Sequence, residues 1–362
     1  MRHAIIIISD ELKINKFFMD YVLRSYESHF GELGEYFIID ENDKNLPFIL
    51  EKHSNNFQYI TIFASNKSYF LVAKILSTLK NENMELKDQT IAPASSLEYQ
   101  KDSFVVDFKN SSINVVKAVP CEKLPNLLIQ IQPNSQSFII LDEDQSSVMA
   151  LLDPLTSTYD VDINLTKFAD LITFVKATTG KFGQLDGFVD SAKNLFGYKL
   201  ILDSNIAWYL GNILIKKGLY ITFAESCTAG MCASMLGELP GISNSFVGSV
   251  VTYSNHIKHE WIGVEGDILN TYGAVSKECV EQMCKGVLEL CDSDFSVAIS
   301  GIAGPDGGSD EKPVGTVFVA VGNHKKIITK RLNLKGDRNY IRTQSALNAF
   351  AMLVCNFAEL QE

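Results

Sequence analysis

Residues 220–230 read YITFAESCTAG, and this stretch decides the architecture of the second half of the chain. The apolar run at 220–224 predicts a buried strand, and the polar residues after it predict a tight turn into a helix over about 229–239. Such a turn lies at the carboxyl edge of a parallel sheet, where free N–H groups of the helix start converge. We therefore expect chemistry at residues 225–228.

The uneven distribution of glycine also points to the second half of the chain as the location of the functional site. Only Gly31 and Gly34 precede Gly180, so 21 of the 23 glycines lie from there onward. Loops that bring backbone close to a ligand usually need glycine. The first half is therefore predicted to lack phosphate-binding loops.

Composition limits the class of protein. The 362 residues are 46% hydrophobic and 21% charged, which predicts two or three folded domains and excludes wholesale disorder. A net charge of −11 argues against nucleic-acid partners, and the apolar runs are too short for a bilayer. Seven cysteines without a CxxC pair indicate free thiols in a reducing compartment. We expect a soluble, cytoplasmic protein.

The order of predicted elements gives a multi-domain α/β fold with three domains. Residues 1–133 alternate strands (4–8, 59–63) with helices (11–29, 67–79) and end in a hairpin (103–108, 114–119). Residues 134–203 mix short strands, including one over 168–177, with helices in a small α+β module. Residues 204–362 form a second α/β domain, in which Asp203 and Ser204 cap a helix that Gly218 ends.

Ser226 is the candidate nucleophile of the turn at 225–228, with its oxyanion bound by N–H groups of the same turn. In the alternative interpretation, Ser226 or Thr228 only caps the following helix. The strand predicted over 246–253 brings Tyr253 and Lys258 to the same edge of the sheet as Ser226. A serine and a lysine can act as nucleophile and base when the lysine is partly neutral. Cys227 competes as nucleophile, but no neighbouring residue favours its thiolate.

Three further features invite functional interpretations. His256 and His259 are spaced to hold a metal, or they are solvated surface residues. The segment SGIAGPDGG at 300–308 follows a predicted strand and is typical of an anion-binding loop. Arg338 opens the last helix, either as a phosphate fork or as half of a surface ion pair.

Seven motifs occur in the order of one family: AESCT (224–228), PG (240–241), VTYSN (251–255) with Lys258, GAVS (273–276), SGIAGP (300–305), KPVGT (312–316) and GDR (336–338). Together they resemble the CinA C-terminal domain, the nicotinamide mononucleotide deamidase (PncC) family, over about residues 205–362. Ala229 is one departure, since the family usually has glycine there.

The resemblance implies hydrolysis of the carboxamide of nicotinamide mononucleotide to nicotinic acid mononucleotide and ammonia, a step of pyridine nucleotide recycling. It implies Ser226 as nucleophile, Lys258 as base and Tyr253 as an assisting group, without metal or cofactor. The expected partners are the small nucleotide and a second copy of the chain in a homodimer, with no nucleic acid or membrane. The expected substrate contacts are Thr228, Ser300, Gly301, Gly304 and Arg338.

The whole layout also resembles full-length CinA, in which a molybdopterin-binding-like domain and a small KH-like module precede the deamidase. The first domain is degenerate. SDEL (9–12) stands where the family's Gly-Asp-Glu start is expected, and FASNK (63–67) stands where a glycine-rich Gly-Gly-x-Gly-Pro-Thr segment and paired aspartates are expected. Related domains hydrolyse ADP-ribose-type pyrophosphates with a divalent metal. Two alternatives to deamidation are therefore pyrophosphatase activity in the first domain and a catalytically silent nucleotide-binding scaffold.

Overall fold

The computed structural model describes residues 2–130, 134–180 and 182–361. The chain forms two compact units, Met1–Asn134 and Ser135–Glu362. The predicted multi-domain α/β class is confirmed, while the predicted boundary at residue 133 lies outside the described residues. Among the described helices, none has both the length and the apolar character that a membrane span requires.

The first unit is built on a six-stranded sheet with the order β2-β1-β3-β8-β7-β6, in which the first four strands are parallel. The strands of this sheet are β1 (His3–Ile8), β2 (Glu35–Ile39), β3 (Tyr59–Ala64), β6 (Glu98–Gln100), β7 (Ser103–Phe108) and β8 (Ser111–Lys117), while β4 (Met84–Lys87) and β5 (Thr90–Pro93) form a separate two-stranded sheet. The helices of this unit are α1 (Asp10–Ile14), α2 (Lys16–Phe30), α3 (Leu46–Asn56) and α4 (Asn66–Leu79).

Strand β1 shows why this sheet is covered on both faces. Its isoleucines are fully buried, and they divide between two apolar clusters. Ile5 and Ile7 pack with residues of α2, whereas Ile6 and Ile8 pack with residues of α3 and α4. A continuous apolar run is what a strand buried on both faces requires.

The sequence predicted the hairpin of this unit, and β7 and β8 confirm it. It did not predict β2 or α3. The two degenerate motifs use polar side chains as helix caps, because Ser9 Oγ accepts from the Leu12 amide and Ser65 Oγ accepts from the Ser68 amide.

The second unit begins with an antiparallel four-stranded sheet of order β10-β11-β9-β12, with two helices on one face. Its elements are β9 (Ser135–Leu141), α5 (Gln145–Tyr159), β10 (Val161–Ala169), β11 (Ile172–Thr179), α6 (Leu185–Phe196) and β12 (Leu200–Ile201). The β-α-β-β-α-β order is that of a ferredoxin-like unit. The KH-like resemblance stays a prediction.

A five-stranded sheet of order β14-β13-β15-β16-β17 follows, with its first three strands parallel. Its strands are β13 (Ile221–Glu225), β14 (Phe246–Val251), β15 (Phe295–Gly301), β16 (Thr316–Gly322) and β17 (Ile327–Asn333). Its helices are α7 (Ile206–Lys217), α8 (Met231–Gly237), α9 (Asn255–Ile262), α10 (Gly266–Thr271), α11 (Lys277–Cys291) and α12 (Arg338–Asn356).

The two sheets of the second unit share one core. The face of the antiparallel sheet that carries Ile139 and Ile172 packs into the same cluster as residues of α7 and α12. A hydrogen bond reinforces this junction, since the Leu171 amide donates to Asn348 Oδ1 at 2.9 Å. The two sheets therefore belong to one compact unit.

Two local predictions in this unit need correction. The strand predicted over 168–177 corresponds to β11, which begins later, at Ile172, after a turn at 170–171. Strand β10 was not predicted, because polar residues alternate along it and hide its apolar side. The cap of α7 is Asn205, whose Oδ1 accepts from two amides of the first turn, rather than Asp203 or Ser204. Gly218 does end α7, with φ of 64°.

Candidate active site

A cavity of about 290 Å³ opens at the carboxyl edge of the parallel strands of the second unit. Seven of the eight predicted site residues line it: Ser226, Tyr253, Lys258, Ser300, Gly301, Gly304 and Arg338. They lie at the end of β15, on α9 and α12, and in the loops that follow β13, β14 and β15, which explains how residues over 100 positions apart meet.

The turn after β13 presents Ser226 to the cavity. The Ser226 amide donates to the Ile299 carbonyl of β15 at 2.9 Å, and the Ala229 amide donates to the Ser226 carbonyl at 3.1 Å. Within the described residues, the amides of Cys227 and Thr228 have no backbone acceptor. The turn is thus tied to the sheet while N–H groups beside the serine remain available to an anion.

Lys258 is fully buried on α9, and its Nζ has three oxygen neighbours. It lies 2.7 Å from the Thr252 carbonyl, 3.2 Å from the Tyr253 carbonyl and 3.0 Å from Ser226 Oγ. Carbonyl oxygens only accept, so both N–H groups of a neutral amine go to them. The amine lone pair then faces the Ser226 hydroxyl, which is the arrangement of a base and its nucleophile.

The electrostatics favour the neutral amine. Burial lowers the pKa of Lys258 from its ordinary value, and the weaker influence of the thiols of Cys279 and Cys227 acts in the opposite direction. Removing the amine from water penalises its charged form more than its neutral form.

Cys227 does not meet the requirements of a nucleophile. Its side chain is buried, and burial raises the pKa of the Cys227 thiol to about 12. A thiol with that pKa is protonated at neutral pH, and only the thiolate attacks. Of the two adjacent candidates, Ser226 and Cys227, the geometry therefore favours Ser226 as the nucleophile.

Tyr253 and Arg338 form the opposite wall of the cavity. Arg338 Nη2 donates to Tyr253 Oη at 2.7 Å, and Nη1 donates to the Gly304 carbonyl at 2.9 Å. The helix start that carries the arginine is fixed by Asp337, whose carboxylate accepts from the Tyr340 amide. The guanidinium keeps further N–H groups for a ligand.

The glycine-rich loop forms the remaining wall, where β15 ends. A Cβ at Gly301 would lie 2.7 Å from Val317 Cγ2 and 2.8 Å from the Thr316 carbonyl, so only glycine fits without movement. The neighbouring Ser300 hydroxyl donates to the Ala274 carbonyl at 2.7 Å, which links this loop to the loop before α11.

The side chain of Thr228 does not line the cavity, so its hydroxyl is not placed to contact a substrate there. Its side chain is fully buried, and its hydroxyl has no hydrogen-bond partner among the described residues. Its carbonyl faces α12 and accepts from Arg342 Nε at 3.0 Å and Nη2 at 2.7 Å. The turn geometry directs this residue inward.

The sequence analysis missed two charged residues that hold the turn, Arg342 and Glu225. The fully buried Glu225 carboxylate accepts from the amides of Cys232 and Ala233 at 3.1 Å, and from Ser249 Oγ at 3.2 Å. It therefore fixes the start of α8. Its position directly before the serine was the only signal in the sequence.

The comparisons with known proteins concern this half of the chain. Residues 203–356 match the family model described as the CinA C-terminal domain. The chain belongs to the CinA family.

Two CinA-like proteins illustrate the extent of the match. That of Fervidobacterium nodosum is 50% identical over 141 residues, which cover 39% of this chain and 35% of the relative. That of Thermotoga maritima is 51% identical over 163 residues, which cover 45% of this chain and 39% of the relative. The matched part therefore spans less than half the length of these relatives.

A solved structure gives a similar result. The competence damage-inducible protein A (ComA) of Klebsiella pneumoniae is 34% identical, covers 42% of this chain and 94% of its own, and superposes with a TM-score of 0.41.

The structure accounts for the one departure from the CinA pattern at the turn. Ala229 has φ of 50°, in the left-handed region that favours glycine. Gly230, which follows, has φ of 90°. The alanine is accommodated, but with backbone strain that the family's usual glycine avoids.

The two histidines considered as metal ligands lie outside the cavity. His259 Nδ1 lies 2.8 Å from the Val264 carbonyl, and His256 is exposed. In the part of the chain that the structure describes, no three His, Cys, Asp or Glu side chains gather as metal ligands would.

Proposed function

We propose that this CinA-family protein is a nicotinamide mononucleotide deamidase, with Ser226 as nucleophile and Lys258 as its base. The observation that carries the proposal is the position of Lys258. Its amine lies 3.0 Å from Ser226 Oγ while two carbonyls occupy its N–H groups. The resemblance to the nicotinamide mononucleotide deamidase family supplies the substrate.

The first half of the reaction forms an acyl-enzyme. Neutral Lys258 takes the Ser226 proton as Oγ attacks the carboxamide carbon, and the carbonyl π electrons move to oxygen. The protonated lysine then gives this proton to the amide nitrogen. The C–N bond breaks, ammonia leaves, and Ser226 carries the nicotinoyl group as an ester.

The second half repeats the relay with water. Lys258 takes a proton from water as the water oxygen attacks the ester carbon, and it returns that proton to Ser226 Oγ when the C–O bond breaks. Nicotinic acid mononucleotide leaves as the carboxylate. The net reaction consumes one water and releases one ammonia.

The amides of Cys227 and Thr228 are the candidate donors to the oxyanion. They lack backbone acceptors, and Cys227 lines the cavity beside Ser226. A preorganised donor of this kind contributes about 3–4 kcal/mol to the barrier reduction. Because the donors belong to the turn that carries the nucleophile, both are positioned together.

Arg338 is the candidate contact for the substrate phosphate. It is a cation on the cavity wall, and its planar fork suits a phosphate oxygen pair. The bond from Arg338 to Tyr253 Oη orders the half-exposed tyrosine beside the nucleophile, which supports an assisting role for that ring.

The test is product analysis with nicotinamide mononucleotide and the purified full-length protein, with and without EDTA. We expect ammonia and nicotinic acid mononucleotide in equal amounts, at a rate that EDTA leaves unchanged. Loss of turnover in EDTA would contradict the metal-free relay. Absence of turnover under both conditions would favour a binding role for the same motifs.

A further inference from the structure

Arg338 and Arg342 lie one turn apart on α12, but they contact different parts of the candidate site. Arg338 contacts the cavity wall, whereas Arg342 reaches beneath the cavity to the nucleophile turn. Two of its guanidinium nitrogens, Nε and Nη2, donate to the single Thr228 carbonyl at 3.0 and 2.7 Å. Its Nη1 donates to Asn339 Oδ1 at 3.2 Å.

We infer that Arg342 is a positioning residue, which sets the reactivity of Ser226 by fixing the carbonyl two residues after it. The inference rests on the proposed role of Ser226 as nucleophile. It goes beyond that role, because Arg342 does not line the cavity and is assigned no contact with the substrate.

At the Thr228 carbonyl the backbone supplies one donor, the Met231 amide at 3.2 Å, and Arg342 adds two more. Ala229 holds a left-handed φ of 50°, which costs an alanine about 1–2 kcal/mol. The Thr228 hydroxyl adds no hydrogen bond within the described residues. The guanidinium fork is therefore the main side-chain contact of the Thr228 carbonyl. That carbonyl shares its peptide plane with the Ala229 amide, which donates to the Ser226 carbonyl at 3.1 Å.

The charge of Arg342 is also directed at the turn. Across residues 2–130, 134–180 and 182–361, no carboxylate forms an ion pair with it. A surface arginine without a structural role is usually solvated or paired with a carboxylate. Here the planar fork places two donors on one oxygen, a geometry that the single-point ammonium of lysine does not reproduce.

The experiment compares Arg342→Ala and Arg342→Lys with the unchanged protein in two assays. One assay measures kcat and KM for ammonia release from nicotinamide mononucleotide. The other measures the rate at which a fluorophosphonate probe labels Ser226, which reports nucleophile reactivity without the natural substrate. Arg331→Ala is the matched control, because Arg331 donates to the Glu311 carbonyl and does not line the cavity.

We expect Arg342→Ala to lower kcat and the labelling rate together, by about 10²-fold, as small misplacements of reacting groups do. KM should change less than threefold, and added guanidinium ion should restore part of both rates. Arg342→Lys should fold as the parent does and keep an intermediate rate, while Arg331→Ala should match the parent.

Unchanged kcat and labelling in both variants would overturn the inference, as would a rise in KM alone. So would an equal loss in Arg331→Ala, or a loss in Arg342→Ala that guanidinium ion does not reduce. If the parent labels at Ser226 but releases no ammonia, the proposed substrate fails while the dependence of labelling on Arg342 still tests the positioning role.

Discussion

At the scale of the residue, the environment of Lys258 determines how the candidate site works. A buried amine with two carbonyl acceptors is poised to share the proton of Ser226, and it does so only when it is neutral. Because burial lowers its pKa, a larger fraction of this amine is neutral at a given pH than of an exposed lysine.

This predicts the pH dependence of turnover. Below the folded-state pKa of Lys258 the amine is protonated and cannot act as base, so kcat/KM should rise with pH and level off above that pKa. The midpoint should lie below the ordinary lysine value of 10.5. A pH–rate profile measures it, and a profile that falls with rising pH through this range would contradict a lysine base.

The strain at Ala229 gives a second prediction at this scale. Ala229→Gly should raise the free energy of unfolding by about 1 kcal/mol, because glycine adopts a left-handed φ without the Cβ clash. The control is Ala233→Gly inside α8, which should lower it by about 1 kcal/mol. Urea unfolding compares the two, and equal losses in both variants would show that Ala229 is not strained.

The sequence predicted the site residues that follow parallel strands, and it did not predict those whose partners are distant backbone groups. Ser226, Tyr253 and Lys258 follow neighbouring parallel strands, so the strand pattern alone places them at one edge. Arg342 could not be found in this way, since its acceptor is a backbone carbonyl 114 positions away. Every residue has a backbone carbonyl, so no residue type in the sequence indicates which carbonyl accepts a hydrogen bond.

At the scale of the element, the packing of α11 against α9 supports the base. Gly286 of α11 meets the end of α9, and a Cβ there would lie 1.9 Å from the Ile262 carbonyl. The helix that ends at Ile262 also carries Lys258. The close approach of these helices thus depends on one glycine.

Gly286→Ala should therefore lower the free energy of unfolding by about 1–3 kcal/mol, as overpacking does, and reduce turnover by displacing α9. Gly237→Ala is the control, because it lies at the exposed end of α8 with no atom within 4 Å of its Cβ. That variant should keep its activity and its stability within about 1 kcal/mol. Equal effects of the two substitutions would contradict the packing argument.

The elements that the sequence predicted poorly were those with weak apolar patterns. Strand β10 alternates polar and apolar residues from Val161 to Ala169 and was missed beside the stronger apolar run of β11. Strand β13 was found with nearly correct bounds, because it is buried throughout and ends in a polar turn. Burial on both faces gives a sequence signal that half-exposed strands lack.

At the scale of the whole molecule, the second unit combines two sheets in one core. From the sequence, the apolar residues of β9 to β12 were predicted to form the core of a separate small module. The structure divides them between the module's own helices and the shared core with α7 and α12. Composition cannot indicate that division, because both faces of such a sheet are apolar.

The shared core predicts that damage to the module reaches the candidate active site. Ile172→Ala, at a buried position facing α12, should cost about 2–5 kcal/mol and lower the temperature at which turnover is lost. Leu195→Ala on α6 is the control, since that side chain is 47% exposed. Thermal inactivation of Ile172→Ala at the temperature of the parent would show that the two sheets unfold separately.

The most direct test of the proposed mechanism is the rate of ammonia release from nicotinamide mononucleotide by Ser226→Ala. Cys227→Ala and the parent protein serve as controls. With Ser226 as the nucleophile, Ser226→Ala should lose at least about 10³-fold in kcat with folding unchanged, and Cys227→Ala should stay within a few-fold of the parent rate. A Ser226→Ala protein that retains the parent's rate would contradict this mechanism.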